Sequence, residues 1–164
     1  MIISRDKNLL CPAFAERLTE FERLLKIEHL PFFLFMGLRT FADQDELYAQ
    51  GRTALGQIVT NARGGLSWHN YGLAADYVLD GMPDKPGNQW SWDTKKDLNA
   101  NGTNDWLEMG KVATLVGLEW GGNWRRFPDL PHSQYTSGLT ILEVQELYRA
   151  SGDLKEVWKH IINY

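Results

Sequence analysis

The 164-residue sequence predicts a single α+β domain. Two observations carry that prediction. Several segments place apolar residues at helical spacing behind recognisable caps, and the apolar runs between them are short and do not alternate. The composition supports it, with 43% hydrophobic and 23% charged residues, as in an ordinary globular domain and not a disordered chain. The chain is long enough to bury a core. Its 12% aromatic content suits that core plus an aromatic-lined groove. There is no internal repeat or low-complexity tract to mark a second domain, so residues 1–164 read as one unit.

The first helix is expected from Pro12 to Leu30, with Phe14, Leu18, Phe21 and Leu25 on one face and Pro31 as its stop. Phe32 to Leu38 reads as a buried strand. Thr40-Phe41-Ala42-Asp43 resembles a capping box and opens a helix that ends before Gly51. Ala54 to Trp68, with Gly56, Gly64 and Gly65, reads as loop with short strand pieces. Gly72 to Leu79 looks like a strand entering the core. Asp80 to Asp93, with Gly81, Pro83, Pro86 and Gly87, reads as an irregular surface excursion. A helix follows over Asp105 to Val116, closed by Gly117. Leu118 to Pro131 is strand and loop. Thr140-Ile141-Leu142-Glu143 is a capping box for a helix to about Ala150, and Leu154 to Ile162 forms a last helix after a Ser-Gly-Asp break.

A formal net charge of −4 argues against non-specific nucleic-acid binding, which needs a basic surface. The longest uncharged apolar run, Leu30 to Leu38, is too short to span a bilayer. Met1 to Lys7 holds no apolar stretch of the secretory kind, so synthesis and retention in a cytoplasm are expected. Cys11 is the one cysteine, excludes an intrachain disulfide, and reads as a small buried hydrophobe.

Residues Asp97 to Glu108 fit the EF-hand pattern D-x-[DN]-x-[DN]-G-x5-E at every fixed position. Calcium takes six to eight oxygens. Asp97, Asn99 and Asn101 supply side-chain oxygens, Thr103 a backbone carbonyl, Asp105 the ninth position and Glu108 a closing bidentate carboxylate, while Gly102 permits the turn. Asn104 stands where paired EF-hands have an apolar residue, and the chain has no second loop. A lone loop with three carboxylates belongs at the weak end of the range, about 10⁻⁵ to 10⁻³ M. The competing reading is an Asn/Gly-rich turn before a helix.

Four histidines are present. His29 and His160 sit at or on helices beside charged residues and read as surface or C-cap residues. His69 lies in a Gly-flanked turn, and Asp76 follows it into an apolar strand. A buried carboxylate there needs a cation, an Arg or backbone donors. His132 follows Pro131, which excludes a helix interior. Two imidazoles and one carboxylate match a catalytic zinc site with a position left for water. Asp129, three residues before His132, is placed to act as a general base.

Ser67-x-His69-x-x-Gly72-x-Ala74-x-Asp76 is similar to the S-x-H-x-x-G-x-A-x-D signature of the M15 zinc peptidases. Gly37-Leu38-Arg39-Thr40, Gln44, Leu47-Tyr48 and Gly51-Arg52-Thr53 resemble that family's upstream stretch. Trp120-Gly121-Gly122 and Asp129-x-x-His132 resemble its downstream one. The family includes D-Ala-D-Ala carboxypeptidases, dipeptidases and phage L-alanyl-D-glutamate endopeptidases. Many of its carboxypeptidases and dipeptidases have Glu where this chain has Asp129, and the phage endopeptidase branch resembles the chain more closely there.

The resemblance implies a small antiparallel sheet flanked by helices, of the hedgehog/D,D-peptidase kind. It implies zinc on His69, Asp76 and His132, Asp129 as the base, and Arg39 and Ser67 toward the substrate. A structural salt bridge is the alternative for Arg39, and a turn-forming hydroxyl for Ser67. The expected activity is hydrolysis of the L-Ala–D-Glu bond of peptidoglycan stem peptides, whose negative charge suits Arg39 and also Arg52 or Arg63. The expected setting is a monomeric phage endolysin without a cell-wall-binding domain, held in the host cytoplasm until a holin gives access to the wall, with calcium ordering the cleft. A D-Ala-D-Ala carboxypeptidase or dipeptidase, and a non-catalytic zinc- and calcium-binding module, are the alternatives.

Overall fold

The computed structural model describes residues 4–81 and 90–162. The N-terminal residues 1–3 and the stretch of the excursion holding Pro83, Pro86 and Gly87 lie outside the described residues. Five α-helices and five strands follow the α+β expectation among the described residues.

Helix α1 spans Pro12–Ile27 and buries Phe14, Leu18, Phe21 and Leu25, the predicted face. It ends short of Leu30. Pro31 disfavours helical geometry at the residue before it, and His29 turns out of the helix at φ 55°. Strand β1, Phe32–Met36, is shorter than expected. Gly37 has left the sheet and donates its N–H to the Ser4 carbonyl at 2.7 Å. Helix α2, Phe41–Ala49, opens on Thr40, whose hydroxyl accepts the Asp43 N–H at 3.0 Å. Between α2 and Trp68 the chain is loop, with only a single bridge between Gln50 and Ala54.

Strand β2, Ala74–Asp80, is the centre of the sheet. It pairs antiparallel with β1 along one edge and with β5, His132–Gln134, along the other. Its far end carries β3, Trp90–Ser91, and β5 in turn pairs with β4, Glu119–Trp120. Strands β3 and β5 escape a reading of the sequence. Each is two or three residues long, and both are held by partners distant in sequence.

Helix α3, Asp105–Leu115, is capped by the Asn104 side chain and closed by Gly117 at φ 78°. Helices α4, Ile141–Ser151, and α5, Leu154–Ile162, follow. The predicted capping box is present at Thr140 and Glu143. The core lies between the sheet and α1, α3 and α5. Phe21 meets Tyr77 edge-on at 5.0 Å and Phe32 meets Trp106 at 5.0 Å. Cys11 is fully buried in it.

Candidate metal centre and cleft

Three backbone devices bring the predicted ligands together. In the β2–β5 ladder Asp76 stands directly opposite His132, so both side chains leave the same face. A register shift between Leu34 and Met36 puts Met36 on the other side of Asp76. His69 comes from a 3-10 turn, Trp68–Tyr71, that ends on Gly72 at φ 66°. A side chain at Gly72 would press on the Leu9 carbonyl and the Leu10 Cα, so glycine is required twice over.

The three groups converge. His69 Nε2 lies 3.2 Å from Asp76 Oδ1 and 3.3 Å from His132 Nδ1, and His132 Nδ1 lies 3.2 Å from the same oxygen. Among the described residues they form the group of His, Cys, Asp or Glu whose ligand atoms all fall within 4.8 Å of one another. Both imidazoles are buried. Their outer nitrogens are engaged elsewhere: His69 Nδ1 donates to the Gly37 carbonyl at 2.7 Å, and His132 Nε2 donates to Gln134 Oε1 at 3.0 Å. The inner nitrogens therefore offer lone pairs to a shared point, as ligands to a metal do. This donor set fits zinc.

Burial opposes charge throughout the cluster. It lowers the His69 pKa. At Asp76 the penalty of burial is outweighed by His69 and His132, which hold the carboxyl well below its ordinary range. At His132 it is outweighed by the hydrogen bond and charge of Asp76, and the pKa is raised.

Asp129 sits beside the cluster on the loop before β5. Its carboxyl is pushed up to about 6, by burial first and by the charge of Asp76 second, with His132 and Arg39 opposing. The loop is pinned from both ends: Asp129 donates its N–H to the Gly121 carbonyl at 3.0 Å, and His132 donates to the Asp129 carbonyl at 3.2 Å. Gly121 allows this approach, because a Cβ there would lie 2.5 Å from the Asp129 carbonyl oxygen. The Trp120 indole packs against Gly110 and Gly122 and donates to the Leu130 carbonyl at 2.7 Å, which gives the Trp-Gly-Gly motif its physical meaning.

Arg39 makes the salt bridge that its residue type allowed. Nη2 lies 3.2 Å from Asp76 Oδ2, and Nη1 donates to Gln44 Oε1 at 2.8 Å. Gln44 is itself fully buried and donates to the Ala62 carbonyl at 2.8 Å. Ser67 and Arg39 both line the cleft, a cavity of about 680 Å³ that also contains His69, Asp76, Asp129 and His132. Phe35, Trp92, Trp124 and Phe127 form apolar walls, with Trp92 44% and Phe127 40% exposed. Arg52 and Arg63 lie against the Tyr48 ring instead of in the cleft lining. His29 and His160 stand apart from the cluster, as expected. Gln134, Glu119 and the Gly37 carbonyl were not foreseen. A lone Gln two residues after a histidine carries no signal until the strand places it.

The Asp97 to Glu108 loop is ordered by its own side chains. Asp97 accepts the N–H groups of Asn101 and Gly102 at 3.2 and 2.9 Å. Both Glu108 oxygens turn inward, to Asn99 Nδ2 at 3.3 Å and Asn101 Nδ2 at 2.7 Å. The Thr103 N–H goes to Asn101 Oδ1 at 2.8 Å. Asp105 is fully buried, with Oδ2 accepting from Leu98 N at 2.8 Å and Oδ1 without a partner. The three carboxylates of the loop are not drawn into a tight group of the kind His69, Asp76 and His132 form.

Residues 60–135 match a family model of the M15 peptidases described as D-alanyl-D-alanine carboxypeptidase. The chain is 54% identical over 96 residues to peptidoglycan L-alanyl-D-glutamate endopeptidase CwlK of Bacillus subtilis (strain 168). That alignment takes in 58% of this chain and 55% of the relative, so the chain spans about half the length of the curated protein it matches. The fold is similar to that of the Serratia marcescens L-Ala D-Glu endopeptidase ChiX, with a TM-score of 0.52, 23% identity, and coverage of 85% of this chain and 86% of that one. The His69, Asp76 and His132 cluster and the loop beside it fall within or next to the matched stretch, so over residues 60–135 the chain is similar to the M15 peptidases.

Proposed function

We propose that the protein is a zinc-dependent peptidase that hydrolyses the L-Ala–D-Glu bond of peptidoglycan stem peptides. The observation that carries the chemistry is the convergence of His69 Nε2, Asp76 Oδ1 and His132 Nδ1 beside a carboxyl shifted to about 6. The choice of bond is supported by the kinship to CwlK. A bound zinc ion supplies Lewis acidity at that point.

The residues of the chain do the rest. Asp129, mostly ionised at neutral pH, accepts a proton from the attacking water. As the C–N bond breaks it returns that proton to the leaving amine of the D-Glu residue. Arg39, held by Asp76 and Gln44, presents a fixed positive charge to an anionic peptide in the cleft. The aromatic walls exclude water and give the substrate an apolar surface. The test is a pair of synthetic stem peptides incubated with the zinc-loaded protein. Cleavage between L-Ala and D-Glu, with a new D-Glu amino terminus, is expected. Release of terminal D-Ala alone favours the second reading, a D-Ala-D-Ala carboxypeptidase, which the description of the matching family model supports.

The same reading includes a calcium ion in the loop from Asp97 to Glu108. Its support is the complete motif, the inward turn of both Glu108 oxygens and the buried, unpartnered Asp105 Oδ1. EF-hand loops draw on Asn carbonyls and often reach the ninth position through water, so tight carboxylate spacing is not required of them. The loop connects to the cleft wall: Asp105 N donates to the Lys96 carbonyl, Trp106 Nε1 to that of Asp93, and Trp92 lies just before. Calorimetry on the zinc-loaded chain is expected to show calcium uptake at about 10⁻⁵ to 10⁻³ M, and no heat at millimolar calcium removes the ion from the reading. The reading extends to a phage endolysin that waits in the host cytoplasm for a holin. Its support is that cutting stem peptides dismantles the wall. Lysis of host cells on co-expression with a holin, and none without it, is the expected result.

A further inference from the structure

Glu119 is exposed on β4, well outside the reacting groups, and the mechanism above gives it no task. We propose that Glu119 is a positioning residue that acts through Gln134 to hold His132 in the tautomer able to bind the metal. The proposal rests on the zinc reading of the site.

The direction of each hydrogen bond fixes that of the next. In the β4–β5 ladder Glu119 stands opposite Gln134. A carboxylate can only accept, and Glu119 Oε2 lies 3.0 Å from Gln134 Nε2, so the amide nitrogen of Gln134 faces Glu119. That leaves Gln134 Oε1 facing His132 Nε2 at 3.0 Å. A carbonyl oxygen also only accepts, so Nε2 carries the hydrogen of the neutral ring. Nδ1 is then left bare, pointing at Asp76 and His69. The Thr136 hydroxyl donates to the other Glu119 oxygen at 2.6 Å and holds the carboxylate in place.

Every link has one permitted polarity because the carboxylate sets the end of the chain. Gln134 is only 6% exposed, so its amide depends on protein partners. Without Glu119 the amide is free to turn over and present its NH2 group to His132. Nε2 then becomes the acceptor, and Nδ1 points a hydrogen at the metal position. The partner of a ligating histidine is usually buried beside it. Here the polarity is set two side chains away, at the surface.

The test measures zinc affinity of the full chain by competition with a chelator, with imidazole 15N shifts reporting the His132 tautomer. Glu119→Ala is expected to weaken zinc binding about 10- to 100-fold and to populate the His132 form protonated at Nδ1. Glu119→Gln, whose amide can turn either its oxygen or its NH2 to Gln134, no longer fixes the polarity and is expected to fall between wild type and Glu119→Ala in both readouts. Gln134→Leu should lose as much as Glu119→Ala, and the double variant should lose no more than either. Thr136→Val, a milder change at the surface, should shift both readouts in the same direction. Wild-type affinity and 15N pattern in folded Glu119→Ala, or losses that add in the double variant, would overturn the proposal. A wild-type chain that binds no zinc would instead overturn the reading of the site itself.

Discussion

In the proposed mechanism Asp129 moves the proton, and two outcomes follow from its position. Asp129→Ala is expected to retain zinc, since the three ligands are untouched, and to lose about 10² to 10⁴ in turnover, the usual contribution of a general base. His69→Ala is expected to lose the metal itself, measured as zinc content after gel filtration. The second outcome concerns stability. The Asp129 carboxyl titrates at about 6 in the metal-free fold, against about 3.9 in an unfolded chain. A raised carboxyl pKa favours the fold while the group is protonated, and that advantage is lost as pH climbs through 6. Metal-free Asp129→Asn should therefore melt higher than wild type at pH 7, with the gap closing below pH 4. A gap that stays constant across that range would show that burial of the charge is not its source. The proposed ligands His69, Asp76 and His132 could be picked out of the sequence because they fall in one recognisable pattern, and the fold brings them together. Spacing alone did not suffice, since Asp76 and His132 become neighbours only through the β2–β5 register. Gln134 and Glu119 were illegible for the same reason, with no motif to offset it.

The helices were read well because each buries a periodic apolar face or starts on a cap whose chemistry is local. The short strands were not, because β3 and β5 have too few residues for any period and owe their form to β2. The loop between β4 and β5 is held tightly at the cleft, by hydrogen bonds at Asp129 and by the close approach of Gly121 to it. Gly121→Ala would drive a Cβ onto the Asp129 carbonyl, a backbone atom that cannot rotate away. The expected cost is about 1–3 kcal/mol of stability from overpacking. Turnover should also fall, by about 10²-fold, as Asp129 is displaced. As a control, Thr140→Ala removes the α4 cap and should cost about 1 kcal/mol with turnover unchanged. Denaturant melts and initial rates on the same samples check both. Full activity in Gly121→Ala would mean that the loop tolerates a shift the packing forbids.

The triad joins three elements: the turn before β2, β2 itself and, distant in sequence from both, β5. A metal there should stabilise the whole domain and not only its cleft. At zinc one hundred times its dissociation constant, linkage gives about 2.7 kcal/mol. For a domain of this size that is a rise of roughly 5–10 °C in melting temperature. Scanning calorimetry before and after chelation checks it, and an unchanged midpoint would mean that the three ligands do not share one ion. The net charge of −4 supplies no general positive field, so the proposed anionic substrate is to be recognised locally, through Arg39 and the aromatic walls of the cleft.

Digestion of purified peptidoglycan by the zinc- and calcium-loaded protein, read by mass spectrometry, decides the function of the molecule. Stem peptides released with a new N-terminal D-Glu are expected, and Asp129→Ala should release almost none. Loss of terminal D-Ala or D-Ala-D-Ala in place of that cut, or intact stems with both metals bound, would contradict the assignment.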